Sequence, residues 1–423
     1  MPHPLRVCFL AYHAYPVIEP AAEGVFGGTE TRAWTLARAL VQRPDLAVSL
    51  VVYARHPLRQ QSCQGVQLVR RREPLYWVRQ AVGKHVEVLS RFPWVRFRSF
   101  APGLLWQVPL LAMVRPFRRG PDPRRPDRFL LGLQADVFFC FGVHRQTATA
   151  VATARAAGRR SVVFLGADSD LDPRYTADST YISPYGERGA VCWYALHHAD
   201  HIVAQTPRQQ AALAERFGRQ ALVLSNPIDL REWDAGLAVE QPLPGLEHLP
   251  RYALWIGRAD SFHKRPLVCL ELARHCPEVP FLLVVNPREP AVEQRLHRDR
   301  PENVCLVTRV AFADMPRVFR RAAVYVNTSA PGYEGFPNVF LQAAASEVPI
   351  ASLELDADFV ERSGAGSVAC GDVRRLAQYV RRMWHHPAEA HAVGQQGRRF
   401  VQQHHDAPAI AERLAEVILE WQS

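Results

Sequence analysis

Lysine is almost missing from this chain: Lys84 and Lys264 are the only two, and every other fixed positive charge is an arginine. The position of Lys264 therefore draws attention. The eight cysteines contain no C-x-x-C pair, so no zinc site is expected. Most of them sit in apolar runs, as buried free thiols do, and this points to a reducing cytoplasm. No stretch supplies the ~20 uninterrupted apolar residues that a spanning helix needs. Met1-Pro2-His3-Pro4-Leu5-Arg6 runs straight into a strand pattern, so no secretory leader is expected. G-x-G-x-x-G is missing after that strand, which argues against a dinucleotide oxidoreductase.

What remains is an ordinary soluble composition, 48% hydrophobic and 22% charged over 423 residues, long enough for two or three domains. The net charge of +10 favours anionic partners: nucleotides, phospholipid headgroups or nucleic acid. Val7 to Tyr12 reads as a buried first strand. A loop with Gly24, Gly27, Gly28 and Thr29 follows, then a helical stripe from Glu30 to Leu40 and a second strand from Val48 to Tyr53. This β-loop-α-β opening is Rossmann-like. Further strands are expected at Ala135–His144, which would deliver His144 at its C-terminal end, at Ser161–Leu165, at His201–Thr206 and at Ala221–Leu224. In open parallel sheets, ligands collect beyond such strand ends.

Between Arg55 and Arg128 the alternation breaks down. Arginines are interleaved with Trp77, Phe92, Trp94, Phe97, Phe100 and Trp106. Phe100 to Val114 is apolar but broken by Pro102, Gln107 and Pro109, too short and interrupted to span a bilayer. It fits an element lying in a membrane interface, and equally a helical elaboration with solvated arginines. No recognised nucleic-acid module accompanies it.

A second α/β run begins after a proline-rich linker near Gln241 to Pro250. Ala253 to Arg258 is a strand ending in Gly-Arg, with Lys264 six positions on. A helix is expected from Met315 to Ala322, and strands at Phe281–Val285, Val304–Val307 and Val324–Asn327. Arg offers a fork and Lys a point charge, a pair suited to a diphosphate. The last of these strands leads into Tyr333-Glu334-Gly335-Phe336-Pro337-Asn338 and then a run of helix formers through Ala345. Gly335 permits close backbone approach, and Pro337 suits a first helical position. Helix N–H donors beside a carboxylate suggest a sugar phosphate or sugar nucleotide as ligand.

This loop resembles the donor-binding signature of the retaining GT-B glycosyltransferases of family four. There Glu-Gly-Phe opens a helix carrying a second Glu eight positions after the first. This chain has Gln342 at that place, and Glu347 where a small Gly usually follows. The Gly-Gly loop, the strand-end His144, the Asn226-Pro227-Ile228-Asp229 turn and the Arg258/Lys264 pair are similar to the family in order as well.

The resemblance implies an α/β GT-B fold with two Rossmann-like domains facing each other across a cleft. An acceptor-side domain would cover 1–226 with an insert at about 56–130. A nucleotide-sugar-binding domain would cover 227–405, with a helix at about 406–423 packing back on the first. It implies transfer of a sugar from a nucleotide diphosphate sugar to a hydroxyl acceptor (glycan, lipid-linked or small molecule), with retention and without a metal. His144 and Glu334 would be catalytic. Gly28, Arg258, Lys264, Gly335, Phe336, Pro337 and Asn338 would hold the donor, Gln342 its ribose, and Asp168 the acceptor side. Asp168-Ser169-Asp170 has Asp-x-Asp spacing but lies in the wrong domain for the diphosphate. No cofactor beyond the donor and no nucleic acid are expected. The basic segment lies outside the resemblance; as an interfacial element it would touch the inner face of a membrane, and as a packed helical elaboration it would leave the protein in the cytoplasm. Two rivals remain: a nucleotide-sugar epimerase, and a weak or inactive nucleotide-sugar-binding protein suggested by Gln342 and Glu347.

Overall fold

Strands buried on both faces must be short apolar runs, and the chain arranges two sets of them. In a computed structural model, which describes residues 3–19, 22, 26–72, 75–88, 95–97, 99–114, 122–241, 243–308 and 310–421, they form two parallel sheets. The first has eight strands in the order Leu222–Val223, His201–Ala204, Arg160–Phe164, Val137–Phe141, Leu5–Leu10, Leu46–Tyr53, Val66–Arg71 and Ser62–Cys63. Only the Ser62–Cys63 edge runs antiparallel to its neighbour. Val7 pairs with Val48 on one side and Val137 on the other. The second sheet is six-stranded: Val304–Thr308, Phe281–Asn286, Tyr252–Arg258, Ala322–Asn327, Ile350–Ser352 and Gly366–Val368. Leu254 pairs with Leu282 and with Tyr325.

Strand order reverses between Leu5–Leu10 and Val137–Phe141 in one sheet, and between Tyr252–Arg258 and Ala322–Asn327 in the other. Open α/β sheets bind ligands at such points, beyond the carboxyl ends of the strands. His144 follows one reversal, and the Arg258 and Glu334 loops flank the other.

The chain leaves the first sheet through Asn226 and returns at His405, where Ile228 and Asp406 form a parallel bridge. The closing helix Ala407–Glu420 then buries Ile410, Leu414 and Ile418 in the first domain's core, against Leu36 and Leu40 of helix Gly28–Leu40.

Three differences from the sequence reading have physical causes. Val66–Arg71 adds a strand to the first sheet within the stretch expected to break the alternation. Val66 and Leu68 point inward, while Arg70 and Arg71 are held by the carbonyls of Ala54 and Arg55 and by Asp127. The helix at Met315 stops at Phe319, because Ala322 is recruited as a strand residue beside Tyr252. The helix expected at Glu30 starts at Gly28, with the Glu30 side chain accepting from the Gly27 N–H at 2.8 Å. Gly24 of the glycine loop and Arg91, Phe92, Trp94, Arg98, Arg115, Arg118 and Arg119 of the basic segment lie outside the described residues.

Candidate active site

Asp260 is fully buried and folds the loop after the strand Tyr252–Arg258. Its carboxylate accepts from the backbone N–H of His263 at 3.0 Å and of Lys264, and Arg258 Nε lies 3.4 Å away. Held this way, Lys264 directs its ammonium at Glu334 and, at 3.4 Å, at Ser329 Oγ. Glu334 keeps only 15% of its side-chain surface exposed. Its Oε2 accepts from Lys264, from His263 Nε2 at 2.8 Å and from Ser329 Oγ at 3.3 Å. Burial opposes ionisation there, yet the Lys264 charge and the His263 hydrogen bond outweigh it. The carboxyl is held well below the ordinary glutamate range.

His263 was not singled out from the sequence, and it joins the expected residues together. Its Nδ1 lies 2.9 Å from Arg258 Nη2 and 3.1 Å from Tyr185 Oη. A guanidinium can only donate, so Nδ1 must accept and Nε2 must carry the proton given to Glu334. One imidazole thus fixes a cation on one side and an anion on the other. The pattern of a histidine beside one of two lysines was the only available signal, and no spacing rule assigns it a role. Arg258 and Lys264 are each offset by a neighbouring carboxylate, Asp260 and Glu334. These four groups together carry no net formal charge, a pairing that the sequence reading of Arg258 and Lys264 as a diphosphate clamp did not include.

The rest of the loop faces the other domain. A Cβ on Gly335 would meet the amide ends of Gln205 and Gln209 and come within 3.1 Å of Ala167, so a side chain there would have to displace the neighbouring domain's glutamines. The Phe336 N–H donates to Gln205 Oε1 at 3.2 Å, which removes one of the donors expected to face an anion. Gln205 Nε2 donates to Asn226 at 3.2 Å, Asn226 to Asn338 at 2.7 Å, and Asn338 to the Gly28 carbonyl at 2.7 Å. A chain of amides therefore ties the helix start to the glycine loop. Pro337 is the N-cap of helix Asn338–Ala345, one position before its expected place. Gln342 is buried on that helix. Glu347 lies beyond its end at φ 56°, a left-handed residue that turns the chain, with its carboxylate 3.3 Å from His391.

On the opposite wall, His144 caps helix Arg145–Ala156. Its Nδ1 accepts from the Thr147 N–H at 3.4 Å, and Nε2 lies 3.0 Å from the Phe141 carbonyl, so both nitrogens are engaged within its own domain. Asp168 is ion-paired with Arg208 and accepts from Gln209 at 3.1 Å. Asp170 accepts from the N–H groups of Gly166 and Ala167, with burial pushing its carboxyl above the usual range. Among the described residues no three His, Cys, Asp or Glu side chains cluster to hold a metal ion.

Residues 250–386 match the family model described as glycosyl transferases group 1. No curated protein matches the chain. Among solved structures, the chain is similar to HepE from Anabaena in complex with UDP and glucose. The TM-score is 0.65 at 15% identity, covering 98% of this chain and 99% of that one. Sucrose-phosphate synthase from Thermosynechococcus elongatus is alike at TM-score 0.65 and 15% identity, with 99% of each chain covered. An E. coli trehalose-6-phosphate structure bound with UDP-2-fluoro glucose aligns at TM-score 0.63 and 12% identity, over 97% of this chain and 98% of that one. The fold is GT-B: two Rossmann-like domains with parallel sheets.

Proposed function

We propose that this protein transfers a sugar from a nucleotide diphosphate sugar to a hydroxyl acceptor, with retention of configuration and without a metal ion. The observation that carries the reading is the Arg258–His263–Glu334–Lys264 assembly at the switch point of the second sheet, facing the first domain across Tyr185. Arg258 and Lys264 are the cations for the diphosphate, in the role a metal would otherwise take. Two of the three Lys264 N–H donors are accounted for by Glu334 and Ser329. Gln342 offers one acceptor and one donor to a ribose.

Glu334 is held ionised by its neighbours, which makes it an acceptor for sugar hydroxyls and a weak general base. His144 and Asp168 remain candidates for the sugar-facing and acceptor sides. A glycan, a lipid-linked carrier or a small molecule would each supply the acceptor hydroxyl.

Thermal-shift measurement against nucleosides, nucleoside diphosphates and nucleotide sugars tests the reading, starting with uridine compounds because two of the similar structures hold them. A ligand at about 100 times its dissociation constant adds about 2.7 kcal/mol. Stabilisation by nucleoside diphosphates above nucleosides is expected, followed by anomer-retaining transfer. Donor binding with no turnover would instead favour a binding protein, a reading that the engaged nitrogens of His144 keep alive. Turnover without an acceptor would favour an epimerase.

A further inference from the structure

Helix Leu104–Val114 turns an apolar face to solvent. Its exposed positions are Leu105, Trp106, Pro109, Ala112 and Met113, spaced as one helical stripe without a polar side chain. Leu105, Trp106 and Met113 are 70%, 56% and 65% exposed, and Phe100 just before the helix is 72% exposed. Leu104 is buried, and the helix packs on helix Tyr76–His85, so the element is anchored to the domain while its solvent side is greasy. Surface helices of soluble domains carry the reverse pattern.

The sequence on either side of the helix carries an excess of positive charge, although Glu87 stands in register with Arg96 in the strand pair Val86–Val88 and Val95–Phe97. Residues 91–128 contain nine arginines against Asp122 and Asp127, and those two are paired with Arg124 and Arg71. The helix has 11 residues, about 16 Å of rise, roughly half of a bilayer's hydrocarbon thickness. No described helix is long and apolar enough to cross a membrane. An apolar stripe that cannot span, framed by arginine, has the composition of an interfacial element.

We infer that this face docks the protein on an anionic lipid bilayer, with Trp106, Leu105 and Met113 inserted at the level of the headgroups and the arginine excess of this stretch of sequence favouring acidic lipid. Arginine near such a surface adds attraction that salt screens. The surface goes beyond the sugar transfer proposed above and does not depend on it.

Co-sedimentation of the full chain with vesicles tests the inference. Phosphatidylcholine mixed with phosphatidylglycerol should bind the protein, pure phosphatidylcholine much less, and added salt should release it. Trp106→Ser with Met113→Ser should weaken binding by on the order of a hundredfold, since each apolar side chain withdrawn from water is worth about tenfold. Thermal stability should be unchanged, because neither side chain is buried in the domain. Nucleoside diphosphate binding by the same variant reports on the cleft alone, so failure of either reading is visible separately. Three results would overturn the inference: no binding to acidic vesicles, binding indifferent to the double substitution, or a dimer that the substitution dissociates. Oligonucleotide binding that is tighter than binding to acidic vesicles and is lost in the double variant would overturn it as well.

Discussion

The Tyr185 hydroxyl, on a turn of the first domain, lies 3.1 Å from Nδ1 of His263 in the second. The two residues are 78 positions apart, and the same nitrogen lies 2.9 Å from Arg258. Through His263 Nε2 the connection continues to Glu334 at 2.8 Å. Approach of the two domains is therefore linked, by one ring, to the cation and the carboxylate that the proposed donor would meet.

The ring's value is its pattern of one donor and one acceptor. His263→Gln can reproduce both, whereas His263→Phe leaves Arg258 and Glu334 each one partner short. Donor turnover should fall about tenfold or more in the phenylalanine variant, within the range for hydrogen bonds to charged groups. The glutamine variant should recover most of it. Steady-state kinetics of the pair decides, and equal losses would mean the imidazole acts other than through this pattern.

Lys264 and Glu334 depend on each other. Lys264→Met leaves a largely buried carboxylate without its cation and should destabilise the fold by about 3 kcal/mol in urea unfolding. Adding Glu334→Gln should restore most of that loss while nucleoside diphosphate binding stays weak. If the double variant is no more stable than the single one, the pair is not coupled as drawn.

Glu347 occupies a left-handed position that glycine tolerates better. Glu347→Gly should raise stability by roughly 0.5–1 kcal/mol, less a few tenths for the exposed pair with His391. A calorimetric melt measures it, with ligand binding expected to be unaffected. A lower melting temperature would mean that the His391 contact outweighs the strain.

His405 is buried beneath Phe336 and Phe359, its Nδ1 2.8 Å from the Asn226 carbonyl. Burial pulls its pKa from 6.5 down to about 4, against the hydrogen bond to Asn226, with smaller contributions from His404 and Arg362. The unfolded chain takes up a proton at 6.5 that the native ring refuses until about 4. Stability is therefore lost as pH falls through that window, by about 3 kcal/mol at most. Unfolding free energies across the window should show a slope that His405→Gln flattens. A slope unchanged by the substitution would place the titration elsewhere.

Much of this was legible locally. A parallel strand covered on both faces has to be a short apolar run, so the central strands of the two sheets, and the strand-end places of Arg258, His144 and the Glu334 loop, could be read from spacing, whereas Val66–Arg71, Ile350–Ser352 and Gly366–Val368 were not. Turn chemistry likewise marked Gly335 and Pro337, because glycine and proline act on their own backbone. Tertiary structure alone decided what these residues meet. Gly335 lies against the amide ends of Gln205 and Gln209 on the other domain, and Lys264 is turned onto Glu334 by Asp260. Nothing in local periodicity encodes such pairings, which depend on how two separately folded sheets are brought together. The helix Leu104–Val114 makes the same point from the other side. It is apolar nearly all round, so its pattern could not say which face would be covered, and only the neighbouring helix leaves Trp106 and Met113 in the open.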